Sequence, residues 1–279
     1  MCGYCGCSSP DTKVSHGHSH DHEASHDHGH SHDHDHSHLH HHDHDDDHHS
    51  HHHDDDESRV IELSRAVLDK NARLAERARG WFLGKGIAAL SLVSSPGSGK
   101  TTLLERTVAA LCNTLRCAVI VGDCATDNDA RRLRATGVPA VQVTTGSVCH
   151  LDAHMVLHAI EDLKLADTQL LFIENVGNLV CPAAFDLGED KRIVLTSVTE
   201  GEDKPTKYPP IFYQANAVVL TKMDLAEVVG FDHDLAIEQI RDVAPGARIF
   251  EVSAKTGVGM DEWLAWVEEC VTHKLAHAV

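Results

Sequence analysis

The sequence predicts an α/β fold: a mostly parallel sheet flanked by helices on both faces, preceded by a disordered His-rich tail. Three observations carry this expectation. Short apolar runs of strand length alternate with segments of helical periodicity from residue 58 onward. The first of those runs passes through a glycine-rich turn straight into a helix. Composition also changes abruptly near residue 58, which separates a low-complexity segment from one able to bury a core. Alternating strands and helices favour parallel pairing, because each crossover between parallel strands is long enough to hold a helix.

The tail dominates the charge. Of the 26 histidines in 279 residues, 20 lie at or before His53. Residues 1–57 hold 14 Asp and Glu against one Lys, so they carry −13 of the formal −19. Such a segment has too few apolar groups to offset the entropy of ordering it. Residues 1–10 form a small cysteine motif, 11–57 a His/Asp-rich metal-buffering tail, and 58–279 one domain of ordinary size. The acidic balance argues against nucleic acid, whose phosphates need Lys/Arg patches. No apolar run reaches the ~20 residues that a membrane span requires; the run over 81–93 is short and broken by Lys85. No basic stretch followed by an apolar one marks a leader. A cytoplasmic protein is expected, in which nine cysteines are thiols and metal ligands rather than disulfides.

The elements follow in order. Val60, Ile61, Leu63, Val67, Leu68, Leu74, Ala75 and Ala78 recur at helical spacing. The apolar run 87–93 then reads as a buried strand, and 101–114 as a helix. Further strands are expected at 117–121, 141–144, 170–174, 193–198, 217–221 and 248–252, and further helices at 150–163, 232–243 and 261–274. Ligands of such sheets sit at the carboxyl ends of the strands.

The turn after the first strand reads SSPGSGKT, Ser94 to Thr101. Strand, Gly-Lys-Thr and helix in register define a P-loop, whose backbone N–H groups wrap phosphate oxygens. Gly97 and Gly99 permit the tight path, and Ser98 and Thr102 complete the cradle. The helix N-terminus favours anions. Lys100 is positioned to neutralise phosphate charge and the Thr101 hydroxyl to hold Mg²⁺. Ser94 stands where the usual pattern has its first glycine.

Base identity is written later. Thr221-Lys222-Met223-Asp224 closes one apolar strand and Ser253-Ala254-Lys255 the next. They resemble the N/T-K-x-D and S-A-K motifs of GTPases. The Asp224 carboxylate can accept from both N1–H and the exocyclic amine of guanine, a donor pair that adenine lacks. Lys222 can pack its stem over the base. Glu174-Asn-Val-Gly177 resembles the D-x-x-G switch with Glu for Asp, so Glu174 is a candidate for Mg²⁺ and the Gly177 N–H for sensing the γ-phosphate. Asp123, at a strand end, and Asp129, in the loop after it, are further candidates for Mg²⁺ or for placing the attacking water. The predicted reaction is GTP and water to GDP and phosphate.

Cys2, Cys5 and Cys7 place three thiolates in seven residues. If Met1 is removed, the Cys2 α-amine becomes a fourth ligand and the set suits planar Ni(II). The His tract suits loose, rapidly exchanging chelation with little selectivity. Cys112, Cys117, Cys124 and Cys270 read as ordinary residues.

The C-x-x-C-G-C start, the His-rich tail, SSPGSGKTTLLERT, VTTGSVCHLDA and LFIENVGNLVCPAAFDLGE together resemble the HypB family of hydrogenase nickel-incorporation GTPases. The resemblance covers essentially the whole chain. It implies a GTP-promoted homodimer of the nucleotide-switch class of P-loop proteins. It further implies Ni²⁺ delivery to a NiFe-hydrogenase large-subunit precursor, working with a HypA-type metallochaperone. It also implies that Cys149, His150 and Cys181 form a nucleotide-coupled nickel or zinc site shared across the dimer; the residues themselves read Cys149-His150 as the start of a helix. A urease-type accessory GTPase is disfavoured: such proteins carry Cys-Pro-His, whereas Cys181-Pro182 is followed here by Ala183. A metal-storage protein with a vestigial nucleotide site is disfavoured by the intact Gly-Lys-Thr and T-K-x-D, whereas a nickel-storage or sequestration protein with a regulatory nucleotide site stays as the alternative.

Overall fold

The computed structural model describes residues 53–277 apart from 164 and 166. Cys2, Cys5 and Cys7 lie outside the described residues, as does the His/Asp tract as far as residue 52.

Seven strands form one sheet: β1 (Ala88–Ser94), β2 (Cys117–Asp123), β3 (Ala140–Thr144), β4 (Leu170–Glu174), β5 (Lys191–Ser197), β6 (Ala217–Thr221) and β7 (Arg248–Glu251). Their order is β3-β2-β4-β1-β5-β6-β7, and every pairing is parallel. All carboxyl ends therefore share one edge. The order reverses around β1, which pairs Leu92 with Glu174 on one side and Ser94 with Leu195 on the other. A crevice opens at such a switch point.

The helices are α1 (His53–Lys85), α2 (Lys100–Leu111), α3 (Asn128–Arg134), α4 (Ala153–Leu163), α5 (Lys204–Lys207), α6 (Pro209–Tyr213), α7 (Ala226–Val229), α8 (His233–Val243) and α9 (Met260–His277). Side chains alternate between the faces of each strand. Leu90 and Leu92 pack with Leu103, Leu104, Leu133 and Trp263 from α2, α3 and α9. Ala89, Ile120 and Ile173 point the other way, to Phe82 of α1 and to Val156 and Ile160 of α4. Val194, Val218 and Leu220 meet Phe212 of α6 and Ile240 of α8. With both faces covered, β4 is buried at every residue, which is why its sequence is apolar up to Glu174 at its carboxyl end. Trp263 is fully buried, and its indole N–H donates to Thr107 Oγ1 at 2.8 Å, tying α9 to α2.

Two local expectations are corrected. Cys149 and His150 do not open a helix; they lie in the turn before α4. Asp152 sets that start, since its carbonyl accepts from Val156 N–H (3.1 Å) and its carboxylate from Met155 N–H (2.8 Å), the bonds of an N-cap. Asp129 is not in a loop but in the first turn of α3. That helix buries only Ala130 and Leu133, too short a stripe for periodicity to reveal.

One glycine fixes the loop that leads into α9. Gly259 has φ +73°, and a Cβ there would stand 1.9 Å from the Glu251 carbonyl oxygen. Gly259→Ala should destabilise the protein by roughly 3 kcal/mol, adding overlap to left-handed strain. Gly230→Ala, at φ +65° with nothing near its Cβ, should cost only ~1 kcal/mol. Thermal melting of the two variants side by side measures the difference.

Candidate nucleotide and metal site

The phosphate loop joins β1 to α2. Gly97 (φ +76°) and Gly99 (φ +97°) hold left-handed conformations, and Gly99 is the residue immediately before α2, at its N-cap. Lys100 is buried, and its ammonium donates to Ser94 Oγ at 2.8 Å. The single Ser98 hydroxyl proton has two acceptors within reach, Ser94 Oγ and the Ser95 carbonyl at 3.0 Å. Ser94, the departure from the usual glycine, thus sits inside the loop as an acceptor that holds the lysine. Burial lowers the Lys100 pKa, and Glu174 and the other nearby carboxylates oppose that shift.

The Thr101 hydroxyl donates to Glu174 Oε1 at 2.7 Å across the β1–β4 boundary. Glu174 is 3% exposed, and its second oxygen has no partner. Burial pushes its carboxyl up to about 7, although Lys100 and the Thr101 hydroxyl pull the other way. A buried, half-satisfied carboxylate beside a hydroxyl is a donor set that fits a hard divalent cation such as Mg²⁺. Asp123 Oδ1 accepts from the N–H groups of Ala125 and Thr126, both at 2.8 Å, so this carboxylate also shapes its own turn. Asp123, Asp129, Glu174 and Gly177 line one cavity of about 550 Å³ with the phosphate loop. Arg132, unforeseen from the sequence, joins them through bonds to Asp129, Glu105 and Thr102.

A second cavity of about 180 Å³ continues from Gly99 and Thr102 between Thr221, Lys222, Asp224, Ala254 and Lys255. Thr221 Oγ1 donates to the Ser98 carbonyl at 2.6 Å and Lys222 Nζ to that of Gly97 at 2.8 Å, so the two motifs brace the phosphate loop. Lys222 holds φ +59°, the one left-handed non-glycine among the described residues. Ser253 Oγ donates to Asp224 Oδ1 at 2.6 Å and accepts from Thr256 N–H. The serine therefore aims the carboxylate that the sequence singles out.

Cys149, His150 and Cys181 come together with ligand atoms within 4.8 Å of one another. The two sulfurs are 2.9 Å apart. Burial, followed by the neighbouring Cys181 thiol, raises the Cys149 pKa. Burial lowers that of His150, which favours the neutral imidazole a metal needs. His150 Nδ1 is buried without a partner. Its ring lies against Phe185, centroids 3.9 Å apart and planes 30° apart. The Phe185 carbonyl in turn accepts from Arg192 Nη2 at 3.0 Å. Two sulfurs and an unpaired nitrogen in a half-buried pocket fit a borderline-soft cation, with positions left over. By contrast, burial pushes the Cys117 thiol up to about 12 and that of Cys270 up to about 11, as suits inert thiols.

One short segment joins the two sites. It follows β4 and carries Glu174, Asn175, Gly177, Asn178 and Cys181 in turn. Asn175 Oδ1 accepts from Leu151 N–H at 2.9 Å, and Asn178 Nδ2 donates to the Cys149 carbonyl at 3.3 Å. A Cβ on Gly177 would stand 3.0 Å from Pro96 Cα of the phosphate loop. Asn175, Asn178 and Phe185 escape sequence reasoning because their work depends on partners distant in the chain.

Fold and cleft together define a P-loop nucleotide-binding protein with a cysteine–histidine cluster beside the segment that leaves β4. Residues 88–251 match the family described as "CobW/HypB/UreG, nucleotide-binding domain". The chain is 54% identical over 212 residues to the hydrogenase maturation factor HypB of Azotobacter chroococcum, covering 76% of this chain and 70% of that one. It is equally similar to HypB of Escherichia coli K12, covering 76% and 73%. A solved structure of HypB from Helicobacter pylori in complex with nickel superposes with TM-score 0.71 at 40% identity, covering 74% of this chain and 97% of that one. The chain belongs to the HypB family of hydrogenase maturation factors.

Proposed function

We propose that the chain hydrolyses GTP to GDP and phosphate and uses that cycle to capture and release Ni²⁺ for the large-subunit precursor of a NiFe-hydrogenase. The observation that carries this reading is the segment from Glu174 to Cys181. Its first residue faces the phosphate cavity, its middle passes so near Pro96 that a Cβ on Gly177 would crowd it, and its end supplies a sulfur to the Cys149/His150/Cys181 cluster. A displacement at Gly177 therefore moves a metal ligand. The nickel-bound relative supports nickel as cargo; the same donors also suit Zn²⁺.

In this reading the phosphate loop amides and Lys100 hold the β- and γ-phosphates and stabilise charge on the transferred group. Asp224 and Ser253 select guanine, with Lys222, Ala254 and Lys255 as walls. Mg²⁺, held by Thr101 and Glu174, supplies charge neutralisation at the phosphates. Asp123 and Asp129 are placed to orient water in the same cavity. One chain offers three metal ligands, which leaves room for a second copy to complete the site in a GTP-promoted homodimer. A HypA-type metallochaperone is the expected partner. The thiolates Cys2, Cys5 and Cys7 and the His tract serve capture and buffering.

Ni²⁺ titrations of the full chain and of Cys181→Ser, each with GDP and with a non-hydrolysable GTP analogue, test this. The difference between the two proteins isolates the internal site. The analogue should change that affinity by roughly 5- to 150-fold, and Ni²⁺ should change nucleotide affinity by the same factor, as linkage requires. Unchanged affinities in both directions would overturn the switch.

A further inference from the structure

Helix α3 carries three arginines, Arg131, Arg132 and Arg134, and they are not equivalent. Arg134 is spent on its own loop: its guanidinium donates to both Asp127 oxygens and its Nε to the Ala140 carbonyl at 2.8 Å. Arg132 instead lines the phosphate cavity together with Lys100, Thr101 and Thr102. Its Nε and Nη2 fork the Glu105 carboxylate at 3.0 and 2.6 Å, and Nη2 also reaches Thr102 Oγ1 at 3.2 Å. Glu105 and Thr102 both belong to α2, the helix into which the phosphate loop runs.

The fork fixes the plane of the guanidinium and leaves one nitrogen over. A guanidinium has five N–H groups, two of them on each Nη. Among the described residues, Nη1 has one acceptor, Asp129 Oδ1, at a long 3.4 Å. The other two cations that line the cavity, Lys100 and Lys222, each donate to the phosphate loop itself at 2.8 Å. Asp123, Asp129 and Glu174 share the cavity, so an anion entering it meets repulsion that a guanidinium offsets. Thr102 fixes the place along the phosphate chain. Gly99 and Thr102 line both this cavity and the smaller one beside Asp224, so they mark the junction of phosphates and nucleoside. Arg132, bonded to Thr102, stands at that junction. Glu174 and Gly177 line the larger cavity alone and belong to the far end of the chain.

We propose that Arg132 is a phosphate ligand of the bound nucleotide, giving Nη1 to the phosphates that GTP and GDP share while Glu105 keeps the other side of the fork. The assignment rests on the guanine-nucleotide reading of the site. A planar, permanently charged fork held on one side by a carboxylate is ready to meet a phosphate on the other. The exchange also releases Asp129 from its long contact, within the cavity where water is to be oriented. A contact to phosphates common to substrate and product holds the nucleotide without favouring GTP over GDP.

The test is calorimetric titration of the full chain and its variants with GDP and with a non-hydrolysable GTP analogue, at one fixed Mg²⁺ concentration. Arg132→Met keeps an apolar stem and removes the charge. It should weaken both nucleotides by roughly 10-fold, the low end for a charge-assisted bond because the guanidinium is half-exposed. Arg132→Lys can still pair with Glu105 but lacks the fork, so its affinities should fall between those of Arg132→Met and the native chain. A role limited to pinning α3 on α2 predicts otherwise for the other half of the pair. Glu105→Gln breaks the pin but leaves the guanidinium charged, so it should bind GDP no more weakly than the native chain. Thermal melting checks the fold of each variant. Native GDP affinity in folded Arg132→Met or in Arg132→Lys, a loss confined to the GTP analogue, or a loss in Glu105→Gln equal to that in Arg132→Met would each overturn the assignment. A native chain that binds neither nucleotide would instead overturn the guanine-nucleotide reading, and the assignment with it.

Discussion

Lys100→Ala should lower GTP turnover by roughly 1,000-fold, the scale on which one preorganised charge stabilises a transition state in a water-poor site. Lys100 is the cation at the heart of the phosphate cavity, buried at the first residue of α2. Burial already disfavours its charge, and the nearby carboxylates, Glu174 first, favour it. Bound triphosphate would add to that favourable side, so the ammonium is worth more on the reacting phosphate than it is in the free protein. The fold should tolerate the change, since the lost contact is a single bond to the Ser94 hydroxyl. Steady-state phosphate release measures the rate, and thermal melting checks the fold. A variant with native melting and more than a tenth of native kcat would remove Lys100 from the chemistry. Ni²⁺ binding at Cys149/His150/Cys181 without nucleotide should be unchanged, because Lys100 is not among the groups that touch that cluster.

The second large effect is a change of base. Asp224→Asn should weaken GTP relative to xanthosine triphosphate by roughly 10⁴-fold, the discrimination a site achieves when its buried polar groups are left mismatched. Guanine offers two donors, N1–H and the amine, which a carboxylate accepts together. Xanthine offers one donor and one carbonyl, which a carboxamide matches and a carboxylate does not. The structure adds a condition that the motif alone does not contain. Ser253 Oγ donates to Asp224 Oδ1 at 2.6 Å, so one oxygen is already held and the side chain is aimed. Ser253→Ala should therefore weaken GTP without changing the base preferred. Competition between the two triphosphates for each variant separates aiming from reading. An Asp224→Asn protein that still prefers GTP would mean the base is read elsewhere.

Much of this was legible in the chain itself. β4 and β6 match the expected strands at both ends, because doubly covered parallel strands read as apolar runs, here four residues long, each closed by a polar residue at the carboxyl end, Glu174 and Thr221. The P-loop was legible because its function is local: Gly97, Gly99, Lys100 and Thr101 act through backbone shape and one helix end. The T-K-x-D and S-A-K strings were legible as strand ends for the same reason. α3 was missed, as its two buried residues make no pattern, and with it went the helical setting of Asp129 and the presence of Arg132. The start of α4 was misplaced because a Cys-His pair suggests a helix opening less strongly than Asp152 caps one.

The nucleotide half and the metal half of the candidate site differ in the same way. By itself the sequence determined an α/β P-loop fold, the T-K-x-D and S-A-K strings, and a short roll of cysteines and histidines. It determined these because each is a local property, carried by neighbouring residues and by strand or helix period. Only the tertiary structure decided that Ser94 faces Lys100, that Ser253 aims Asp224, and that Cys181 meets Cys149 and His150. It alone decided that Asn175 and Asn178 clip the segment after β4 to the loop that carries Cys149 and Leu151, and that His154 and His158 converge while His273 and His277 do not. These are contacts between distant segments, or choices of side-chain rotamer. Packing sets both, and no spacing along the chain encodes them.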